Sequence, residues 1–348
     1  MSYYLYCIRS KYKMKKKINK ILYLLILIPI FFFRLFIFER ESLHINNNAL
    51  ITIKKGSTIL DLKNLMEEKT FNNHLYLLPW LIKLYPKYKY IKAGTYFLKT
   101  EYNIKDALNI FVLGKEKQFS ITFFEGSTLQ DCLIILKNSP YIEQDLINVN
   151  IYNLSEKLGY KYKFPLEGSL YPDTYLYVKN TKASEILKRA KRNMDVILEK
   201  IWDNREYDLP YKNSQSLLIM ASIIEKETSI KKERAIVASV FVNRLKNKMK
   251  LQSDPTVMYG LRNKKTINHN DLTIPTKYNT YIINGLPPTP ISMPGFESIY
   301  AAAHPKKSNY FYFVSNGYGS HIFSENFNNH KKAIKQYINK KVQFNDKK

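Results

Sequence analysis

Cysteine is almost missing. Cys7 and Cys132 are the only two in 348 residues, too few for a disulfide framework and without partners at metal-ligand spacing. The six histidines, His44, His74, His269, His304, His321 and His330, are scattered with no HExxH and no paired spacing. No structural or catalytic metal is therefore expected. Acidic residues are also scarce: 29 against 55 Lys and Arg leave a formal charge of +26. Such an excess favours an anionic partner, whether nucleic acid, acidic lipid or an acidic polymer. Nucleic acid is disfavoured, because the charge outside the N-terminus is diffuse and no Arg-rich stripe, zinc finger or helix-turn-helix signature is present. Part of the excess reflects a general abundance of Lys, Asn, Ile and Tyr, as in products of an AT-rich genome.

The N-terminus carries the strongest local signal. "KYKMKKKINK" (11–20) precedes "ILYLLILIPIFFFRLFIF" (21–38), eighteen residues interrupted by Arg34 and one proline. That approaches the roughly 20 residues that cross a bilayer as a helix, and Arg34 lies near the far end, where it can snorkel. No small-residue cleavage site follows in "FERESLHINNN", which argues against a removed signal peptide. The Lys cluster before the span places residues 1–20 in the cytoplasm. The expectation is a single-pass anchor in the inner (cytoplasmic) membrane, touching membrane lipid, with the bulk of the chain outside the cytoplasm. Cys7 and Cys132 then lie on opposite sides and cannot pair.

The remaining chain reads as an α+β protein. After a polar spacer at 46–48, "ALITIKKGSTILDLKNLMEE" (49–68) predicts a strand, a turn and a helix capped by Ser57 or Thr58. The plan returns at 117–136, with G-S-T-[IL]-x-D at both Gly56–Asp61 and Gly126–Asp131. Residues 70–86 read as helical, 90–100 as strand or hairpin, and "NIKDALNIFVLG" as a helix ending at Gly114. A loop and strand at 164–177 lead to a charged helix over about 182–203. Residues 213–247 predict two helices, the first capped by Asn213 or Ser214 and ended by "TSIKK". From 251 to 298 the chain is loop-rich; 308–324 predicts a hairpin with a Gly-rich turn, and a basic helix closes the chain.

The first of those two helices poses the chemical question. Seven apolar residues and a serine, Leu217 to Ile224, lead directly to Glu225 and Glu227. On a helical wheel the two carboxylates fall about 80° to either side of the apolar centre, with Ser222 and Lys226 facing solvent. A carboxyl on such a shoulder, partly desolvated beside a cleft, suits a general acid. The plainer alternative is a solvated glutamate paired with a lysine, and the wheel does not choose between the two residues.

"LIMASIIEKETSIKKERAIVASVFVNRL", "MKLQSDPTVMYG", "PTKYNTYIINGLPPTPISMPG" and "SIYAAAHPKKSNYFYFV" resemble, in order and spacing, the endolytic murein transglycosylases (the MltG or YceG-like family). "KAGTY", "EGSTLQD" and "LEGSLYPDTY" fit its upstream parts. The resemblance covers roughly residues 20–340. It implies an anchor at 21–38, a LysM-like α+β subdomain at 45–140, and an α+β catalytic domain at 141–342 with a helical core and a loop-rich cleft. It further implies cleavage of peptidoglycan glycan strands between N-acetylmuramic acid and N-acetylglucosamine, leaving a 1,6-anhydromuramoyl end. Company with cell-wall synthases on nascent strands belongs to the same implication. The catalytic acid it implies is the first glutamate of the E-K-E motif, Glu225.

That chemistry suits the inventory. A glycoside hydrolase needs two carboxylates at a set separation. A lytic transglycosylase can work with one, takes its nucleophile from the substrate's own C6 hydroxyl, and requires no cofactor. Gln252, Asp254, Tyr259, Tyr278, Asn279 and Tyr281 are the candidates to line the sugar cleft, with Tyr rings for sugar faces and amides or carboxylates for hydroxyls and acetamides. Asp254 before Pro255 equally reads as a cap, and the tyrosines as core. Two rivals stand beside this reading. One is a non-catalytic peptidoglycan-binding scaffold; the other is a muramidase-type hydrolase, whose second carboxylate would be Asp254 or Asp173.

Overall fold

The structure is a computed structural model describing residues 2–45, 49–161, 164–262 and 264–345, with the side chains of 2–11 and 339–345 excepted. The spacer at 46–48 and the Cys7 side chain therefore lie outside the described residues. The chain forms two compact units, residues 1–119 and 120–348.

The first unit opens with α1 (Ser2–Glu39), which continues the apolar run back through the basic tail as one helix. Residues 12–39 are long and apolar enough to cross a membrane, and most of that stretch is exposed. Its last turns are different. Leu35 and Phe38 are buried in the unit's own core with Ile51, Leu62, Leu78, Tyr96 and Phe111. Next come β1 (Ala49–Ile53), α2 (Ile59–Lys69), α3 (Leu78–Leu84) between two 3-10 turns, β2 (Gly94–Leu98) and α4 (Ile104–Leu113). β1 and β2 pair antiparallel, Ala49 opposite Leu98 and Ile53 opposite Gly94. Thr58 and Asp61 close a reciprocal capping box at the start of α2, as Asn103 and Asp106 do for α4. Gly114 ends α4 at φ +70°, the left-handed position that glycine reaches without cost.

The second unit begins with β3 (Phe119–Thr122) and α5 (Leu129–Asn138), whose Thr128–Asp131 capping box repeats that of α2. Then follow β4 (Ile142–Glu143), α6 (Leu154–Lys157), β5 (Thr174–Tyr177), β6 (Thr181–Lys182) and α7 (Ala183–Asp203). Strand β3 pairs with β5, and β4 runs parallel to β6. The core is helical: α8 (Ser214–Glu227), α9 (Lys231–Lys246), α10 (Asp254–Gly260) and α11 (Phe296–Ala303). The hairpin β7 (Tyr312–Ser315) with β8 (His321–Ser324) and the terminal α12 (Phe327–Asn345) complete it.

Helix α8 is the axis of this unit. Asn213 caps it by accepting from the Ser216 amide, and every residue from Leu217 to Ile224 is buried. The wheel predicted Ser222 toward solvent, yet it is fully buried. The segment 290–295 covers that face: the Ile291 amide donates to Ser222 Oγ at 3.0 Å, and Ser292 Oγ donates to the Ser222 carbonyl at 3.2 Å. A helix apolar on all sides has no solvent face to offer. The loop-rich stretch 251–298 also contains α10 and the start of α11. Both are short, and prolines obscure them.

Candidate active site

The two shoulders of α8 face different surroundings. On one, Glu225 pairs with Arg234 of α9 at 2.9 Å and accepts from the Gly295 amide, also at 2.9 Å. Both its oxygens are committed to internal donors, and its side chain is 5% exposed. Arg234 reaches the more exposed Glu125 at 3.7 Å. The guanidinium is itself buried, and its Nε and Nη1 find no hydrogen-bond partner among the described residues. Lys226, exposed between the two glutamates, donates to the Gly126 carbonyl. Gly295 leaves room for this packing, because a Cβ there would stand 1.9 Å from Glu125 Oε1.

On the other shoulder, Glu227 accepts a short hydrogen bond from Ser253 Oγ. It lies deep in the fold, and as a whole residue it is half-buried, as Glu225 is. Burial is the main force that pushes its carboxyl up to about 7, with the neighbouring charge of Asp254 adding to it; Ser253 and Arg244 act in the opposite direction. Asp254 in turn accepts from Tyr281 Oη at 2.7 Å. Ser253, Asp254, Tyr281 and Glu227 thus form one polar group. The Ser253 amide also bonds Thr280 Oγ1, tying the 251–254 and 279–281 loops together.

The remaining cleft candidates distribute elsewhere. Gln252 is exposed at φ +52°, its amide donating to the Thr280 carbonyl. Asn279 is fully buried; its amide donates to the carbonyls of Leu272 and Ile274, and its Oδ1 accepts from the Tyr281 amide. It shapes the loop that presents Tyr281. Tyr259 and Tyr278 meet edge to face with centroids 4.8 Å apart and line a cavity of 650 Å³ with Tyr152, Phe164, Glu167 and Arg262. Neither Glu225 nor Glu227 lines that cavity. Asp173 is exposed, and its carboxylate accepts from the adjoining Thr174 amide at 2.7 Å.

Three contributors escaped the sequence reading. Glu167 is buried, accepts from the Leu129 amide at 3.0 Å and from Tyr259 Oη at 2.9 Å, and is pushed by burial up to about 7. The apolar neighbours of "PLEGSL" were its only local signal. Ser253 and Arg234 sit among residues already singled out, but their roles depend on how distant loops return to α8. His321 bonds Glu233 through Nδ1 at 2.7 Å.

A carboxyl near neutrality, flanked by a hydroxyl, a carboxylate and a tyrosine, can give and retake a proton. Residues 51–336 match the YceG-like family. An endolytic murein transglycosylase of Bacillus subtilis is 31% identical over 321 residues, covering 84% of this chain and 85% of that protein. One from Streptococcus pneumoniae is 25% identical over 335 residues, covering 85% of this chain and 60% of that protein. A crystal structure of a yceG-like protein from Listeria monocytogenes superposes with a TM-score of 0.52 at 31% identity, covering 82% of this chain and 98% of that one.

Proposed function

The chain belongs to the YceG-like family, and from that premise we propose that it is an endolytic lytic transglycosylase acting on peptidoglycan glycan strands. The observation that carries the catalytic assignment is the environment of Glu227, whose carboxyl stands near 7 bonded to Ser253 and beside Asp254, which Tyr281 holds. The sequence pointed to Glu225, the first glutamate of the motif. The contacts favour the second, because Glu225 is consumed by Arg234 and the Gly295 amide. In this reading Glu227 protonates the glycosidic oxygen as the C1–O bond breaks. Its carboxylate then takes the proton from the muramoyl C6 hydroxyl as O6 closes onto C1. Glu225 is a positioning residue that holds the end of α8 against α9.

The finer parts of the reading rest on sequence. Residues 21–38 anchor the chain in the inner membrane with the N-terminus cytoplasmic, which the Lys cluster supports. The strand–helix–helix–strand order of β1, α2, α3 and β2 supports a LysM-like role for the first unit. The family resemblance supports action on nascent strands beside cell-wall synthases.

The test is digestion of purified peptidoglycan by wild type, Glu227→Gln and Glu225→Gln, with muropeptides read by mass. Anhydro ends that disappear with Glu227→Gln, with a loss of about 10²–10⁴-fold, support the assignment. Full activity in Glu227→Gln with loss in Glu225→Gln returns the acid to Glu225. Reducing ends would instead make the enzyme a hydrolase.

A further inference from the structure

The end of the apolar helix and the face of α3 beside it raise a problem of depth. Phe31 of α1 meets Trp80 of α3 edge to face, 5.7 Å between centroids. Arg34 Nη1 donates to Tyr76 Oη at 3.3 Å, just before α3. Leu27, Ile28, Phe31, Phe32 and Leu35 on one side, with Trp80 and Leu84 on the other, enclose a nearly all-apolar groove of 560 Å³ with Lys83 at its edge. Trp80 and Leu84 remain 53% and 41% exposed. The first unit is therefore packed on the helix from Phe31 onward, well before the apolar run ends at Phe38.

Lys13, Lys15, Lys16, Lys17 and Lys20 fix the cytoplasmic end of that run. Drawing them into hydrocarbon costs about 2.5–3.5 kcal/mol each near the centre, so the helix cannot slide outward by two turns. At about 1.5 Å per residue, Phe31 stands roughly 16 Å beyond Lys20, whereas the hydrocarbon is about 30 Å thick. Letting Lys20 snorkel about 5 Å brings Phe31 to roughly 21 Å, still several Å short of the outer boundary. Tilting the helix shortens its reach and deepens Phe31 further. Whatever packs on Phe31 must then lie within the outer leaflet.

We propose that α3 is an interfacial element: its Trp80–Leu84 face is immersed in the outer leaflet, and acyl chains occupy the groove against Leu27–Phe32. The inference rests on the single-pass reading of residues 21–38. The exposed Trp80 and Leu84 become lipid contacts continuous with the span, and Trp80 takes the depth at which indole rings concentrate. Arg34, anomalous in an apolar run, is carried to the headgroup side by Tyr76. Lys83, 5.8 Å from the Trp80 ring centroid, reaches lipid phosphates.

Only Trp80 and Trp202 occur in the chain, so Trp202→Phe makes Trp80 the sole indole. The full chain is reconstituted in phosphatidylcholine–phosphatidylglycerol vesicles (3:1) with lipids brominated at acyl carbons 6 and 7. The expected result is quenching of Trp80 by about half or more, with little further quenching by acrylamide. A companion chain carrying Trp80→Phe, Trp202→Phe and Tyr23→Trp reports the span itself. Strong bromine quenching at position 23 with Trp80 open to acrylamide and indifferent to bromine overturns the immersion and leaves the span standing. Failure of bromine to quench at either position removes the span, and the immersion with it.

Discussion

Glu225 and Glu227 stand two positions apart on one helix, yet their surroundings demand opposite behaviour. Removing the charge of Glu225 strands Arg234, which is buried and among the described residues retains only Glu125 at 3.7 Å. Breaking a buried pair from one side costs about 3–5 kcal/mol, so Glu225→Gln should lower the melting temperature by several degrees. Glu227 is the reverse case, because burial penalises its charge. An unfolded glutamate titrates near 4.5, while Glu227 and Glu167 stand near 7 when folded. Below about 4.5 both states are protonated and burial costs nothing. Between about 4.5 and 7 the native state keeps protons that the unfolded chain has released, so stability falls as pH rises and then levels above 7. Each residue accounts for a loss on the order of 3 kcal/mol. Melting curves from pH 4.5 to 8 should show that decline, and Glu227→Gln or Glu167→Gln should each flatten it. Cleavage should follow the protonated form of Glu227, with kcat/KM declining as pH passes about 7.

Among the elements, the segment 290–295 does the most to bring distant parts of the second unit together. It bonds Ser222 of α8, the Met293 amide donates to the Ser127 carbonyl, and Pro290 packs on Gly168. Gly168 has φ +72°, and a Cβ there would lie 2.2 Å from Pro290 Cβ. Gly168→Ala should therefore destabilise by about 2–5 kcal/mol, joining left-handed strain to overpacking. Gly159 is the control: at φ +86° with nothing within 4 Å of a built Cβ, its change to Ala should cost only about 1–2 kcal/mol. Urea midpoints compare the two. These two scales also explain what the sequence could disclose. The caps of α2 and α8 were legible to within one residue, as Ser57 or Thr58 and as Asn213 or Ser214, because a cap acts within three residues, and the α8–α9 break and the hairpin carry equally local signals. The burial of Ser222, the inward amide of Asn279 and the Ser253–Glu227 contact were not legible, since each depends on a loop returning from tens of residues away. The same limit left the wheel unable to choose between the two glutamates.

At the scale of the whole molecule, the two units keep separate books. The first unit's core gathers Leu35, Ile51, Leu78, Tyr96 and Phe111, and the second gathers Leu217, Ile224, Phe241, Leu251 and Ile299, with no residue in common. Each helix of the catalytic group, α8 to α11, draws its packing from the second core. The carboxyls of Glu227 and Glu167 owe their positions to residues after 120. A chain of residues 116–348, which keeps β3 whole for its pairing with β5, should therefore fold by itself. Scanning calorimetry of the full chain should resolve two transitions, and the 116–348 chain should reproduce one of them within a few degrees. On the proposed function, the shortened chain should still cut soluble glycan strands, while losing whatever advantage the apolar helix and the first unit give. A single transition in the full chain, with a shortened chain that melts without cooperativity, would mean that the second core is incomplete without the first. The first unit would then be part of the same cooperative fold as the second.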